Sequence, residues 1–170
     1  MELRTATVTD AAAIVQLLNS AYRGEASTKG WTTEAHLIDG DVRTNEATVL
    51  EAMQQPGAVT LLYIDDGGKP LGTVNLQQHG AKMYLGMFAV TPFLQGKGIG
   101  KQLLQAAEIH TRDRGCIAIY MHVISVRREL IDWYMRHGYV DTGERKPFEE
   151  DGMHGRHLQI MEFAVLEKQV

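Results

Sequence analysis

Gln95-Gly96-Lys97-Gly98-Ile99-Gly100-Lys101 is the stretch on which the fold of this 170-residue chain turns. Before it, Met83 to Val90 reads as a strand that Thr91-Pro92 closes. After it, Ile99, Leu103, Ala106, Ala107 and His110 share one face of a helix that Gly115 stops. Cys116 to Ile124 is apolar again. Strand, helix and strand over Met83 to Ile124 require a crossover, and so favour parallel pairing.

Upstream, Leu3 to Val8 alternates as a first strand. Asp10 offers an N-cap to a helix with Ile14, Leu17, Leu18, Ala21 and Tyr22 on one face. A polar loop from Tyr22 to Thr33 precedes a short helix, Thr33 to Ile38, closed by Gly40, and another helix starts near Asn45 and ends before Pro56-Gly57. Val59 to Ile64 and Leu71 to Leu76 flank Asp65-Asp66-Gly67-Gly68, a hairpin signal, so with Met83 to Val90 they predict an antiparallel meander. Downstream, Arg128 to His137 reads as a helix capped by Gly138. Tyr139-Val140 starts a strand, and a last strand runs from about His157 to Val165 with a slip in alternation between Ile160 and Met161. No repeat or linker divides the chain. The expectation is one α+β domain over residues 1–170, around a mixed sheet.

Composition narrows the function. A formal net charge of -4, with no basic run longer than Arg127-Arg128, lacks the electrostatic footprint of a nucleic-acid or anionic-membrane binder. The lone Cys116 cannot form an internal disulfide and the N-terminus lacks a signal-peptide layout, so a cytoplasmic location is expected. His154-x-x-His157 has too few companions to hold a metal, and none is expected.

Glycines entering a helix let several backbone N–H groups converge on one phosphate, aided by the helix dipole, and Lys97 and Lys101 add positive charge. The glycines alone are equally consistent with a flexible turn. Two nucleotide motifs fail: a dinucleotide fingerprint needs G-x-G-x-x-G where this chain has G-x-G-x-G, and a P-loop needs a glycine where Gln95 stands.

With Gln95, Gly98 and Gly100 as Q-x-x-G-x-G, Met87 to Pro92 before them, and Arg128 to Tyr139 carrying Tyr134-x-x-x-Gly138-Tyr139, the sequence resembles the GNAT superfamily of N-acetyltransferases. The resemblance implies a GNAT-like acyl-CoA N-acyltransferase fold with about seven strands and acetyl-CoA as cosubstrate. It further implies acetyl transfer to a primary amine of a small-molecule acceptor by direct attack. A noncatalytic acyl-CoA-binding or sensing module is the alternative, and a homodimer is admitted.

Carried over by residue, the resemblance assigns the pyrophosphate to Gln95, Gly96, Lys97, Gly98, Ile99, Gly100 and Lys101, and the pantetheine arm to the backbone of Phe88, Ala89 and Val90. Arg127 stands where relatives often have an Asn, and is expected to face the cofactor's phosphate or solvent. Tyr134 stands where the family protonates the departing thiolate; its other reading is a packed aromatic beside Leu130 and Ile131. Many relatives carry a basic Glu on the fourth strand, but Tyr84-Leu85-Gly86-Met87 has no acid or His. Glu25, Glu34, His36, Asp39 and His122 remain as candidate bases, each otherwise a solvated group. Trp31 and Arg43 fall where relatives build the acceptor site, an indole and a guanidinium suited to a flat, carboxylate-bearing molecule.

Overall fold

A computed structural model describes residues 1–170. Its elements run β1 (Glu2–Thr5), α1 (Ala11–Tyr22), α2 (Gly24–Ser27), β2 (Ile38–Asp39), α3 (Glu46–Met53), β3 (Val59–Ile64), β4 (Pro70–His79), β5 (Lys82–Val90), α4 (Ile99–Asp113), β6 (Ala118–Ile124), α5 (Arg128–Arg136), β7 (Val140–Phe148), β8 (Arg156–His157) and β9 (Met161–Gln169). Seven strands form one sheet in the order β1-β3-β4-β5-β6-β9-β7, in which only β5 and β6 are parallel. The meander β3-β4-β5 and the crossover through α4 are as the sequence predicts. No helix is long and apolar enough to cross a membrane.

Each face of the sheet has its own core. Ile14, Leu17, Leu18 and Ala21 of α1 pack with Val49 of α3 on Leu62, Ile64 and Ala89. On the other face, Leu103, Leu104 and Ala107 of α4 and Ile131 and Tyr134 of α5 cover Val74, Leu76, Ile119 and Met121. The apolar spacing that predicts α1 and α4 is what buries them.

Three local expectations are corrected. Thr33 to Ile38 is not a helix: the chain turns over residues 35–37, and Ile38–Asp39 pairs with Arg156–His157 in a separate two-stranded sheet. The predicted last strand accordingly divides in two, with β8 in the small sheet and β9 starting at Met161; Ile160, where the alternation slips, is fully exposed between them. Asp10 does not cap α1 with its side chain. Its carboxylate accepts the Thr7 N–H at 2.8 Å and the Arg4 guanidinium at 2.8 and 2.9 Å, and Arg4 holds its pKa down at about 2.

The feature that makes room for a site is the parting of β5 and β6. They pair only from Lys82↔Ala118 to Tyr84↔Tyr120, although both strands continue well beyond. The register against β4 shows why: Asn75 pairs with Gly86 and Thr73 with Ala89, so Met87 and Phe88 together stand opposite Val74. Such a bulge bends its strand. Met87 takes φ 49°, the only non-glycine residue with positive φ, so the bend is held against its backbone preference.

Candidate active site

The loop from Gln95 into α4 has the geometry an anion requires. Gly96 and Gly98 adopt φ of 81° and 89°, and a Cβ on either would meet no protein atom, so the backbone demands glycine while the space above it stays open. No side chain caps α4, whose N-cap is Gly98, so the N–H groups of its first turn face the loop without intrahelical partners. Lys97 and Lys101 are exposed beside it, and Ile99 turns its side chain into the core.

A groove of about 230 Å³ runs from this loop toward the gap in the sheet, gathering Phe88, Ala89, Val90, Gln95, Gly96, Gly98, Gly100 and Lys101 of the predicted set, together with Trp31, Thr32 and Trp133. Lys97, Ile99 and Arg127 are outside its lining. Open N–H groups, small residues and two indoles fit an acyl-CoA pyrophosphate and its pantetheine arm.

Gln95 lines the groove and also organises it. Its Oε1 accepts the N–H groups of Trp31 at 2.7 Å and Thr32 at 3.2 Å, while Nε2 donates to Thr32 Oγ1 at 2.7 Å and to the Val90 carbonyl at 2.9 Å. The side chain ties the loop after α2 to the end of β5. Gly30 lies so close that any Cβ there would collide with the Gln95 amide.

The backbone of β5 is only partly free. Thr91 N–H donates to Leu71 at 2.8 Å, so by the ladder's alternation Ala89 also turns its peptide groups to β4 and Val90 turns them into the gap. The Val90 carbonyl is taken by Gln95, and the Phe88 carbonyl accepts the Tyr22 hydroxyl. Ala89 thus departs from the expected strand-like pairing of all three residues.

Beyond the gap lies a second, inner cavity of about 210 Å³, walled by Tyr84 to Phe88 of β5, Met121 to Ile124 of β6, and residues of α1 and α5. Tyr22, Phe88 and Leu130 line both hollows. Tyr134 is buried at 4% exposure on the inner wall, its ring 6.3 Å from that of Phe88. Burial raises its pKa far above the usual phenol value, assisted by Tyr22 and opposed by Arg127 and Arg43.

One carboxylate and three guanidinium groups occupy the same cavity. Glu34, 4% exposed, lies 3.3 Å from Arg23, 3.9 Å from Arg43 and 3.6 Å from Arg127. Arg23 is further held by the carbonyls of Val42, at 3.1 Å, and His154. Arg43 lies over the Tyr22 ring at 4.0 Å. Arg127, expected toward phosphate or solvent, is instead 1% exposed and faces this cavity, because it immediately precedes α5 at the open end of β6.

Of the five candidate bases only Glu34 and His122 line the cavity. Glu34 is not a solvated group but the hub of the arginines. Burial lowers the His122 pKa below the usual imidazole value, and Lys146 lowers it further, so the ring is neutral near pH 7. Trp31 and Arg43, expected together, are split between the two hollows. No local signal in the sequence marks Tyr22 or the clustering of Arg23, Arg127 and Glu34 as part of a site; Tyr22 reads only as the last apolar residue of α1.

The model of the acetyltransferase (GNAT) family matches residues 12–139, which span the groove, the gap and α5. The chain belongs to the GNAT acetyltransferase family. Among solved GNAT-fold structures, the ribosomal-protein-S18-alanine N-acetyltransferase of Escherichia coli is 16% identical, with 99% of this chain and 93% of that one covered at a TM-score of 0.74. The ribosomal-protein-alanine N-acetyltransferase of Brucella melitensis is also 16% identical, with both chains fully covered at a TM-score of 0.74. A Salmonella typhimurium protein solved with its cofactor acetyl-CoA is 21% identical, with 99% and 93% covered at a TM-score of 0.70. Identities this low carry the fold and not the acceptor. No curated protein matches the chain.

Proposed function

We propose that this GNAT protein transfers the acetyl group of acetyl-CoA to a primary amine of a small-molecule acceptor by direct attack in a ternary complex. The observation that carries this reading is the meeting of two separate hollows at the parting of β5 and β6, with Tyr22, Phe88 and Leu130 in the walls of both. Donor and acceptor can then approach one point from opposite sides, which converts a bimolecular encounter into a positioned one.

When bound, acetyl-CoA supplies a thioester whose carbonyl carbon bonds to the amine nitrogen as the carbon–sulfur bond breaks and the thiolate leaves. The first-turn N–H groups of α4, with Gly96, Gly98 and Lys101, hold the pyrophosphate. A backbone N–H of β5 beside Phe88 polarises the carbonyl. His122, neutral at pH 7, receives the proton the amine must lose, directly or through one water. Tyr134 donates a hydrogen bond to the leaving sulfur. Its raised pKa makes it a donor that stays protonated and stabilises thiolate, in preference to giving up its proton outright.

The decisive experiment follows CoA thiol release against a panel of small amines and measures acetyl-CoA binding calorimetrically on the same preparation. Release with an amine, and the matching mass increase of 42 Da expected for acetylation, supports transfer. Tight acetyl-CoA binding with no release from any amine overturns it in favour of a noncatalytic acyl-CoA module.

A further inference from the structure

The strongest unexplained group in the molecule is Arg127. Its guanidinium is 1% exposed, yet Nε, Nη1 and Nη2 all lack a hydrogen-bond partner. The neighbouring carboxylates do not remedy this: Glu34 stands at 3.6 Å and Glu129, itself half exposed, at 3.5 Å, both outside hydrogen-bonding geometry. Buried guanidinium groups are normally hydrogen-bonded, and an unpartnered fork in the wall of a cavity is an arrangement that can receive an oxoanion.

The charge in the cavity points the same way. Arg23, Arg43 and Arg127 surround one buried carboxylate, Glu34. Arg23 already spends its donors on Glu34, Val42 and His154, which leaves Arg127 and Arg43 as the cations with donors to offer. Much of the remaining wall is apolar, with Met121, Val123, Ile124, Phe148 and Phe163 facing the same space beside His122 and the tyrosines at 22, 84 and 134. At about 210 Å³ the cavity has room for a compact metabolite.

We propose that Arg127, with Arg43, forms a carboxylate subsite of the inner cavity, and that the acceptor is an amino acid with an apolar side chain. The carboxylate sits on the two guanidinium groups, the side chain lies along Met121, Val123 and the two phenylalanines, and the amine is left to face the gap between β5 and β6. This assignment rests on the transfer reading above for the amine's role, while the carboxylate subsite itself is a matter of binding alone.

The test compares L-leucine and L-phenylalanine with their amides and their decarboxylated amines. Calorimetric titration into the intact protein, with and without acetyl-CoA, should show each acid binding about 10–100-fold more tightly than its amide, the loss expected when charge-assisted hydrogen bonds to a buried cation are removed. In turnover the same comparison should appear in KM and not in kcat. Arg127→Lys, which keeps the charge and loses the fork, and Arg43→Gln, at a partly exposed position, should each erase most of that preference while leaving acetyl-CoA affinity unchanged. Acids bound in preference to amides without acetylation of any amine would uphold the subsite and sink the transfer. Acetylation of amines and amides as readily as of acids would sink the subsite and leave the transfer standing. Equal or absent binding of acid and amide would overturn the subsite outright.

Discussion

The Glu34 carboxylate stands 3.6 Å from the Arg127 guanidinium, with both side chains almost wholly withdrawn from solvent. Because Glu34 also meets Arg23 and Arg43, it is the one buried anion among three cations. Glu34→Gln leaves Arg23 and Arg43 without a carboxylate and Arg127 with only the half-exposed Glu129, and breaking a buried pair from one side costs about 3–5 kcal/mol. The urea midpoint should fall accordingly, and a change below about 1 kcal/mol would show that solvent already screens the cluster.

Gln95→Ala should act at a distance from its own position. Four hydrogen bonds link this side chain to Trp31, Thr32 and Val90, and their loss is expected to cost about 1–3 kcal/mol. Because Trp31 and Thr32 also line the groove, acetyl-CoA affinity should drop with stability. Gly30→Ala, whose Cβ would displace the Gln95 amide, should reproduce both effects in thermal unfolding and in titration.

Gly98 and Gly80 separate backbone strain from ligand contact. Both have positive φ, 89° and 62°, and a Cβ on either meets no protein atom. An alanine in either place costs roughly 1 kcal/mol through the left-handed backbone. Only Gly98 lines the groove, so Gly98→Glu should abolish acetyl-CoA binding, read by quenching of Trp31 and Trp133 fluorescence, whereas Gly80→Glu should leave it intact. Equal binding by the two variants would remove the loop from the site.

The different fates of the sequence expectations have a common physical basis. The loop, the meander and the crossover are local or nearly so: glycine, hairpin and periodicity signals fall within a few residues of what they specify, and the groove around Gly96 and Gly98 was therefore legible. Thr33 to Ile38 reads as a short helix closed by Gly40, but the pairing of Ile38–Asp39 with Arg156–His157 and the Arg23–Glu34 ion pair are long-range events that no window of sequence contains. Arg127 reads from the sequence as facing the cofactor's phosphate or solvent until the opening of β6 turns it inward. The bulge at Met87 was hidden for a related reason, since a positive φ at methionine runs against its residue type and is imposed by the sheet.

Tyr134→Phe should divide kinetics from binding. The substitution keeps the ring packing with Phe88 and Trp133 and removes only the hydroxyl. Loss of one donor to charge developing in the transition state is expected to lower kcat by about 10–100-fold, with acetyl-CoA affinity preserved. An unchanged kcat would leave Tyr134 as a packing residue.

His122, as the proposed base, should set the acid limb of the pH profile. Its ring lies against Tyr84 and Phe163, at 5.2 and 5.9 Å between centroids, and desolvation followed by Lys146 lowers its pKa from 6.5, with Glu144 opposing. As a base it works only when neutral, so kcat/KM should climb with pH through a midpoint below 6.5 and then level off. The stability linkage has the same sign. With the folded pKa below the unfolded one, the unfolded chain binds the proton more readily, so this contribution is complete above about pH 6.5 and is lost as pH falls through the folded value. His122→Gln should therefore flatten the acid limb of kcat/KM and reduce the acid slope of stability in that window. A surviving acid limb with unchanged midpoint would assign the base to another group.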